Sequence, residues 1–292
     1  MNELERADAL RVGPVIRAAR KLRGLSQSEV ARELQVSQTT VSSIESGEVA
    51  ISGSNWLRLS RLLRVLPDHT FFEGIVDSAN INGLDDPLET GFKLPKRYAN
   101  NAFSTVRAAQ PFFRFFECCC GRAALDEFLK ERMNVDPDIR YIYNLRLSIR
   151  FNLDLASHLI RAGHLTLNTL DLITSQLVNP KTHGLLAKSY QDAAGSVDLL
   201  KQLLKNVALY ERNFSYSLVN ESRNSLEIAS MPADFMRYFS YKEDELPDFI
   251  NLYRRSFIES FSKYRDRAQP VRVRIIPSAT KRRTECLFKI AI

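Results

Sequence analysis

The sequence predicts a mainly α-helical protein in two parts. Five short helices at the N-terminus are followed by a C-terminal α+β domain, mostly helical with a small antiparallel sheet. Three observations lead there. Residues 26 to 47 hold two short amphipathic segments joined by a tight polar turn. The chain has 292 residues, too many for one domain of ~65, so a second domain is expected. In the second half, helical apolar spacing recurs again and again, while apolar–polar alternation is confined to a few short stretches.

The elements follow in order. Ser26 precedes an apolar-periodic run and Glu29 stands three residues later. In such a capping box the hydroxyl accepts from the third amide and the carboxylate reaches back. Val30, Ala31 and Leu34 then share the inner side of a helix. Val36 closes the turn, Ser37 caps a second helix with Val41 and Ile44 as its inner stripe, and Gly47 ends it. The outer positions of this second helix are Gln38, Thr39, Ser42 and Ser43, short and uncharged. They suit base edges in a major groove, where Gln pairs with adenine and a Thr methyl meets the thymine methyl. Two helices in this arrangement are how a helix-turn-helix reads DNA; a helical hairpin with its polar residues turned outward is the plainer alternative. SNWLRLSRLLRVL supplies a fourth helix, with Ser54 as cap and Trp56, Leu59, Leu62, Leu63 and Leu66 inward. Pro67 and Asp68 end it and start a short fifth helix through Phe71, Phe72, Ile75 and Val76. The first domain is therefore expected over 1–77. Residues 78–98 hold two Gly, two Pro and no sustained period, and read as a linker.

The stretch VIRAARKLRGLSQSEVARELQVSQTTVSSIESGE, with its R-x-x-x-G-L-S-Q spacing, resembles the Cro/cI-type (XRE) helix-turn-helix family over roughly residues 12–66. The resemblance implies a lambda-repressor-like DNA-binding fold, with double-stranded DNA as partner. Position by position, it implies base contacts from Gln38, Thr39 and Ser43 and a phosphate contact from Gln27. It also implies an ion pair between Arg20 and Glu45 that locks the first helix onto the end of the third. Ser37, Ser46, Arg20 and Arg23 complete the expected phosphate-facing set. Ser46 stands where the family usually has Asn, and Glu48 where Lys or Arg is common; both departures weaken the expected grip on phosphate.

Residues 99–292 make up the expected sensory and dimerisation domain. Helical spacing covers 103–117, 121–133, 151–163, 166–178, 196–211 and 243–266; strands are expected over 214–220, 224–229, 270–276 and in the final LFKIAI. A helical layer on a small sheet is the economical arrangement. The segment from HGLLAKSYQDAAG through SYSLVNESRNSLEIA resembles the effector domain of ornithine-utilisation AraC-type regulators. The ending TECLFKI resembles the last strand of haem-NO-binding-like domains. Such domains bind small ligands or signal through protein contacts.

Charge, cysteine and histidine usage limit the function classes. The net charge is +7, yet residues 1–73 hold ten bases and nine acids, leaving that part at +1. Its local cationic cluster is Arg17, Arg20, Lys21 and Arg23. Phosphate neutralisation supplies most non-specific DNA affinity, so a near-neutral reader is expected to work as a homodimer on two half-sites. Arg272 and Arg274 alternate with Val271 and Val273, which puts them on the solvent face of a strand with Lys281, Arg282 and Arg283 beyond it. Phe112, Phe113, Phe115 and Phe116 cover more than one face of their helix, which must then be buried on several sides. Cys118, Cys119 and Cys120 point about 100° apart on a helix and cannot converge on one tetrahedral metal. They read as small buried side chains, with a redox-sensing thiol as the alternative. Among His69, His158, His164 and His183, only His158 sits where a haem ligand is conceivable, and a core or surface role is the plainer reading. No metal site, cofactor or catalytic constellation is expected, with haem or a small-molecule effector kept as alternatives. No apolar run approaches the ~20 residues of a membrane span, so the chain is expected to be cytoplasmic, without a membrane partner. The expectation is a non-enzymatic transcription regulator, or alternatively an antitoxin-like or adaptor protein whose helix-turn-helix only autoregulates.

Overall fold

The computed structural model describes residues 3–65, 91–166, 168–178, 183, 186–222, 225–237, 247–264, 271–277 and 286–292. The expected fifth helix, residues 78–90 of the expected linker, Leu66, His69 and the Lys281–Arg283 run lie outside these. By contacts the chain divides into two compact units: Met1–Arg107 with Arg122–Leu147, and Ala108–Gly121 with Ser148–Ile292. Residues 122–147 thus group with the N-terminal helices, although they are remote from them in sequence.

In the first unit, α1 (Glu3–Leu22) runs through Pro14. Proline removes one amide donor from the helix, and Gly13 beside it has no side chain. A Cβ on Gly13 would lie 2.5 Å from the carbonyl oxygen of Ile44, so α1 meets the end of α3 backbone to backbone. Helix α2 (Gln27–Leu34) carries the full capping box, and Gln35 ends it in the left-handed region at φ 58. Helix α3 (Gln38–Ser46) is capped by Ser37, and Gly47 ends it at φ 80. Helix α4 (Gly53–Leu63) is capped by Ser52 rather than Ser54. Both serines precede the apolar stripe, and the Ser54 hydroxyl lies 3.3 Å from that of Ser52. The unit continues with α5 (Lys96–Ala99) and strand β1 (Ser104–Thr105), which pairs antiparallel with β2 (Arg146–Leu147). Between them lie α7 (Arg122–Glu127), a π-helical turn over Phe128–Arg132 and a 3-10 turn over Pro137–Tyr141. Leu125, Leu129, Ile139, Ile142, Leu145 and Leu147 bury the inner side of this segment.

Helix α6 (Val106–Cys120) begins in the first unit and passes into the second. The expected helix from 103 starts three residues late because Ser104 and Thr105 are strand. All four of its phenylalanines are buried, as their all-round placement requires. Phe113 meets Phe151 edge-on, and Phe112 stacks on Tyr253 with centroids 5.2 Å apart. The second unit adds α8 (Ile149–Arg161), α9 (Leu170–Ser175), α10 (Ala187–Gln191) and α11 (Ser196–Asn206). Strands β3 (Phe214–Ser222) and β4 (Ser225–Pro232), helix α12 (Pro247–Phe261) and strands β5 (Arg272–Pro277) and β6 (Cys286–Ala291) follow. The sheet runs β3-β4-β6-β5, every pair antiparallel. Leu226, Ile228, Val273, Phe288 and Ile290 from the sheet pack with Leu199, Leu200 and Leu203 of α11 and Ile258 and Phe261 of α12. Arg272 and Arg274 lie exposed between buried Val271 and Val273, the alternation a half-buried strand requires.

Candidate nucleic-acid interface

The reading element is built by its caps. Ser26 Oγ accepts from the Glu29 amide at 3.2 Å, and Glu29 Oε2 accepts from the Ser26 amide at 2.7 Å. Backbone amide and hydroxyl of Ser26 both hold the Glu29 carboxyl below its ordinary value. The Gln35 amide bonds back to Ala31 and Arg32, which turns the chain sharply into Ser37. Ser37 Oγ accepts from the Thr40 amide at 3.0 Å and starts α3. Along α3, Val41, Ile44 and Glu45 point inward and Gln38, Thr39 and Ser42 are exposed, with Ser43 half-buried. The four residues expected at base edges therefore share the outer side of one helix. Two of them are tied to neighbours: Ser28 Oγ donates to Gln38 Oε1 at 2.9 Å, and Ser43 Oγ donates to Glu48 Oε2 at 3.0 Å.

Glu45 is the buried anchor of the element. Arg20 grips it bidentately, Nε to Oε1 at 2.6 Å and Nη2 to Oε2 at 2.9 Å, and its Nη1 donates to the Leu25 carbonyl at 2.8 Å. Gln27 Nε2 donates to the same Glu45 Oε2 at 3.0 Å. One carboxylate thus joins α1, the start of α2 and the end of α3, and planar Arg suits this fork. Ser46 Oγ donates to the Ser43 carbonyl at 3.1 Å, and Arg23 Nε donates to the Leu63 carbonyl at 2.8 Å. Every residue expected at phosphates, Gln27, Ser37, Ser46, Arg20 and Arg23, has a framework partner within the unit.

The same holds for Arg17 and Lys21 of α1. Arg17 holds Asp138 bidentately at 2.6 and 2.7 Å, and Lys21 bridges Asp136 at 2.5 Å and Asp138 at 2.7 Å. Burial pushes the Asp138 carboxyl up, but hydrogen bonds and charge from Arg17 and Lys21 outweigh it and hold the group below the ordinary carboxylate value. Asp136 in turn caps the 3-10 turn, its Oδ1 accepting from the Asp138 amide at 3.0 Å. The cluster that reads in sequence as a local phosphate-facing patch is therefore framework: Arg17, Arg20, Lys21 and Arg23 all point into acceptors of their own unit. Sequence reasoning missed Asp136 and Asp138, whose only signal is an acid-Pro-acid turn more than a hundred residues away.

Outside this element, Cys118 and Cys119 are exposed and Cys120 is half-buried, contrary to the buried placement expected of them; Cys286 alone is buried. The triplet ends α6, where side chains reach past the packed phenylalanines. The Cys119 thiol, although exposed, is pushed up by partial desolvation at the helix end and by Cys120 and Cys118, the opposite of an activated thiolate. His158 lies flat on Phe116, ring centroids 5.4 Å apart and 7° from parallel. His183 is buried with Nε2 donating to the Leu177 carbonyl at 2.6 Å, edge-on to Tyr190, Tyr264 and Phe261. Between α11, α12 and the sheet lies a cavity of about 20 Å³, bordered by Leu203, Leu204, Tyr216 and Arg254. That is room for about one water.

The family model described as Helix-turn-helix matches residues 16–69. No curated protein matches the chain. Among solved structures, one described as "Modulating Heme Redox Potential Through Protein-Induced Porphyrin Distortion" is 14% identical. It has a TM-score of 0.46 and covers 64% of this chain and 99% of its own. Another, an unliganded Fe(II) H-NOX protein variant from K. algicida, is 11% identical with a TM-score of 0.44, covering 64% of this chain and 95% of its own. No helix among the described residues is long and apolar enough to cross a membrane.

Proposed function

We propose that the protein is a sequence-specific DNA-binding transcription regulator that works as a homodimer. Its C-terminal part takes up a small ligand or a partner protein and sets the spacing of two reading elements. One observation carries this reading. Gln38, Thr39, Ser42 and Ser43 share the outer side of an α3 held rigidly by the Arg20–Glu45–Gln27 cluster, as direct readout in a major groove requires. Charge favours a dimer. Residues 1–73 carry +1, and Arg17, Arg20, Lys21 and Arg23 are spent on framework partners. A single element therefore has little grip on phosphate, and two half-sites about 34 Å apart supply what one lacks. The residues that do the work are Gln38, Thr39, Ser42 and Ser43 at base edges, with Gln27 and Ser37 at the two helix N-termini for register.

The spent cations also favour a second reading, an antitoxin-like or adaptor protein whose helix-turn-helix serves only autoregulation. Footprinting on the DNA upstream of its own coding region, with wild type and Gln38→Ala at equal concentration, separates them. A paired footprint lost or altered in Gln38→Ala supports base readout by a dimer. An identical footprint in both proteins removes Gln38 from the reading set, and no footprint on any selected DNA favours the adaptor.

A further inference from the structure

The two hydrogen bonds that tie the outer side of α3 to its neighbours fix which hydrogen-bonding groups it shows. Ser28, on α2, donates to Gln38 Oε1 at 2.9 Å. The amide oxygen is thereby turned toward α2, and the Nε2 donors are left facing outward. At the other end, the Ser43 hydroxyl donates to Glu48 Oε2 at 3.0 Å. Ser43 then offers only lone pairs, beside a carboxylate that can only accept. We infer that Ser28 and Glu48 are positioning residues that give α3 a fixed polarity, donor at Gln38 and acceptor at Ser43–Glu48, and that this selects guanine at one end and cytosine at the other. The inference rests on the DNA-reading proposal above.

The chemistry follows from the base edges. Guanine shows two acceptors in the major groove, N7 and O6, which suit an outward NH2 group. Adenine shows an acceptor and a donor, and needs the amide oxygen turned to the base together with the NH2 group, whereas Ser28 draws that oxygen toward α2. Cytosine shows only its N4 amino donor, which suits a serine oxygen whose own hydrogen is already held by a carboxylate. The acceptor N7 of adenine beside its amino group would face the same carboxylate unfavourably. Five residues along a helix separate Gln38 from Ser43, about 7.5 Å at 1.5 Å per residue, or roughly two base-pair steps of 3.4 Å. The preferred half-site thus holds a guanine and a cytosine about two steps apart.

The test is selection from random duplex DNA with the full chain as wild type, Ser28→Ala, Ser28→Thr and Glu48→Gln, followed by binding to single-base variants of the enriched site. Wild type is expected to enrich the guanine–cytosine pattern. Ser28→Ala is expected to lose preference for guanine over adenine at one position by about ten-fold, with Ser28→Thr retaining it because the hydroxyl remains. Glu48→Gln is expected to lose preference for cytosine at the other position only. A merely structural role would weaken binding to all sequences alike and leave both preferences in place. Ser28→Ala and Glu48→Gln enriching the wild-type sequence unchanged would overturn the polarity assignment while leaving DNA reading intact. A wild-type protein that enriches no sequence overturns both.

Discussion

Asp138 sits at the centre of the contact between α1 and the 3-10 turn, and its replacement by Asn gives a sharp measure of that contact. The side chain is 4% exposed and meets Arg17 and Lys21, themselves 35% and 30% exposed. Breaking a fully buried ion pair from one side costs about 3–5 kcal/mol. Here both cations reach water, which recovers part of that cost, and Asp136 still neutralises Lys21. The expected loss for Asp138→Asn is therefore about 1–3 kcal/mol. Trp56, the single tryptophan, lies on α4 of the same unit, so its fluorescence during urea unfolding reports on this unit. Glu221→Gln is the control. Its partner Lys201 is 42% exposed and Glu221 39%, and such a surface pair contributes at most about 1 kcal/mol. The carboxyl of Asp138 is depressed in the folded protein, so its contribution is fully present above the unfolded value of about 3.9 and is lost as pH falls through the lower folded value. The difference between wild type and Asp138→Asn should hold from neutral pH down to about pH 4 and shrink below it. A change within about 0.5 kcal/mol at pH 7, the range of ordinary surface substitutions, would refute the idea that these acids hold α1.

Three further outcomes are expected. Gly13→Ala places a methyl 2.5 Å from the Ile44 carbonyl oxygen, and the overpacking should cost about 1–3 kcal/mol in the same urea titration. Ser37→Ala removes the cap of α3 and should lower stability by about 1 kcal/mol without any DNA present; an unchanged midpoint would mean the hydroxyl is held for another purpose. A thiol reagent at neutral pH should modify Cys118 and Cys119 in the folded chain and reach Cys286 only after unfolding. Mass spectrometry of the labelled peptides reads this directly, and early labelling of Cys286 would contradict its burial.

What was legible in the sequence was whatever the chain encodes within a few residues of itself. Ser26 with Glu29, Ser37 and Gly47 delimit their helices because capping is satisfied three or four residues away. The alternation around Arg272 and Arg274 survives because the side-chain period of a strand is local. Ser54 lost the cap of α4 to Ser52 because two serines stand on either side of Gly53, and either spacing satisfies the pattern. The fate of Arg17 and Lys21 could not be read at all. Their acids lie 121 and 115 residues away, and pairing across that distance is decided by how the backbone returns. The exposure of Cys118 and Cys119 was hidden for the same kind of reason. Cysteine is more often buried, but the packed stretch of α6 stops at Phe116 and leaves the last turn outside.

The long sequence separation within the first unit has a consequence for how the protein is made. At roughly 5–20 residues per second, the 115 residues between Lys21 and Asp136 take about 6 to 23 s to synthesise. The newborn reading element therefore spends seconds carrying two cations more than its finished form will show. A protein cut back to its first hundred residues would keep that newborn charge for good.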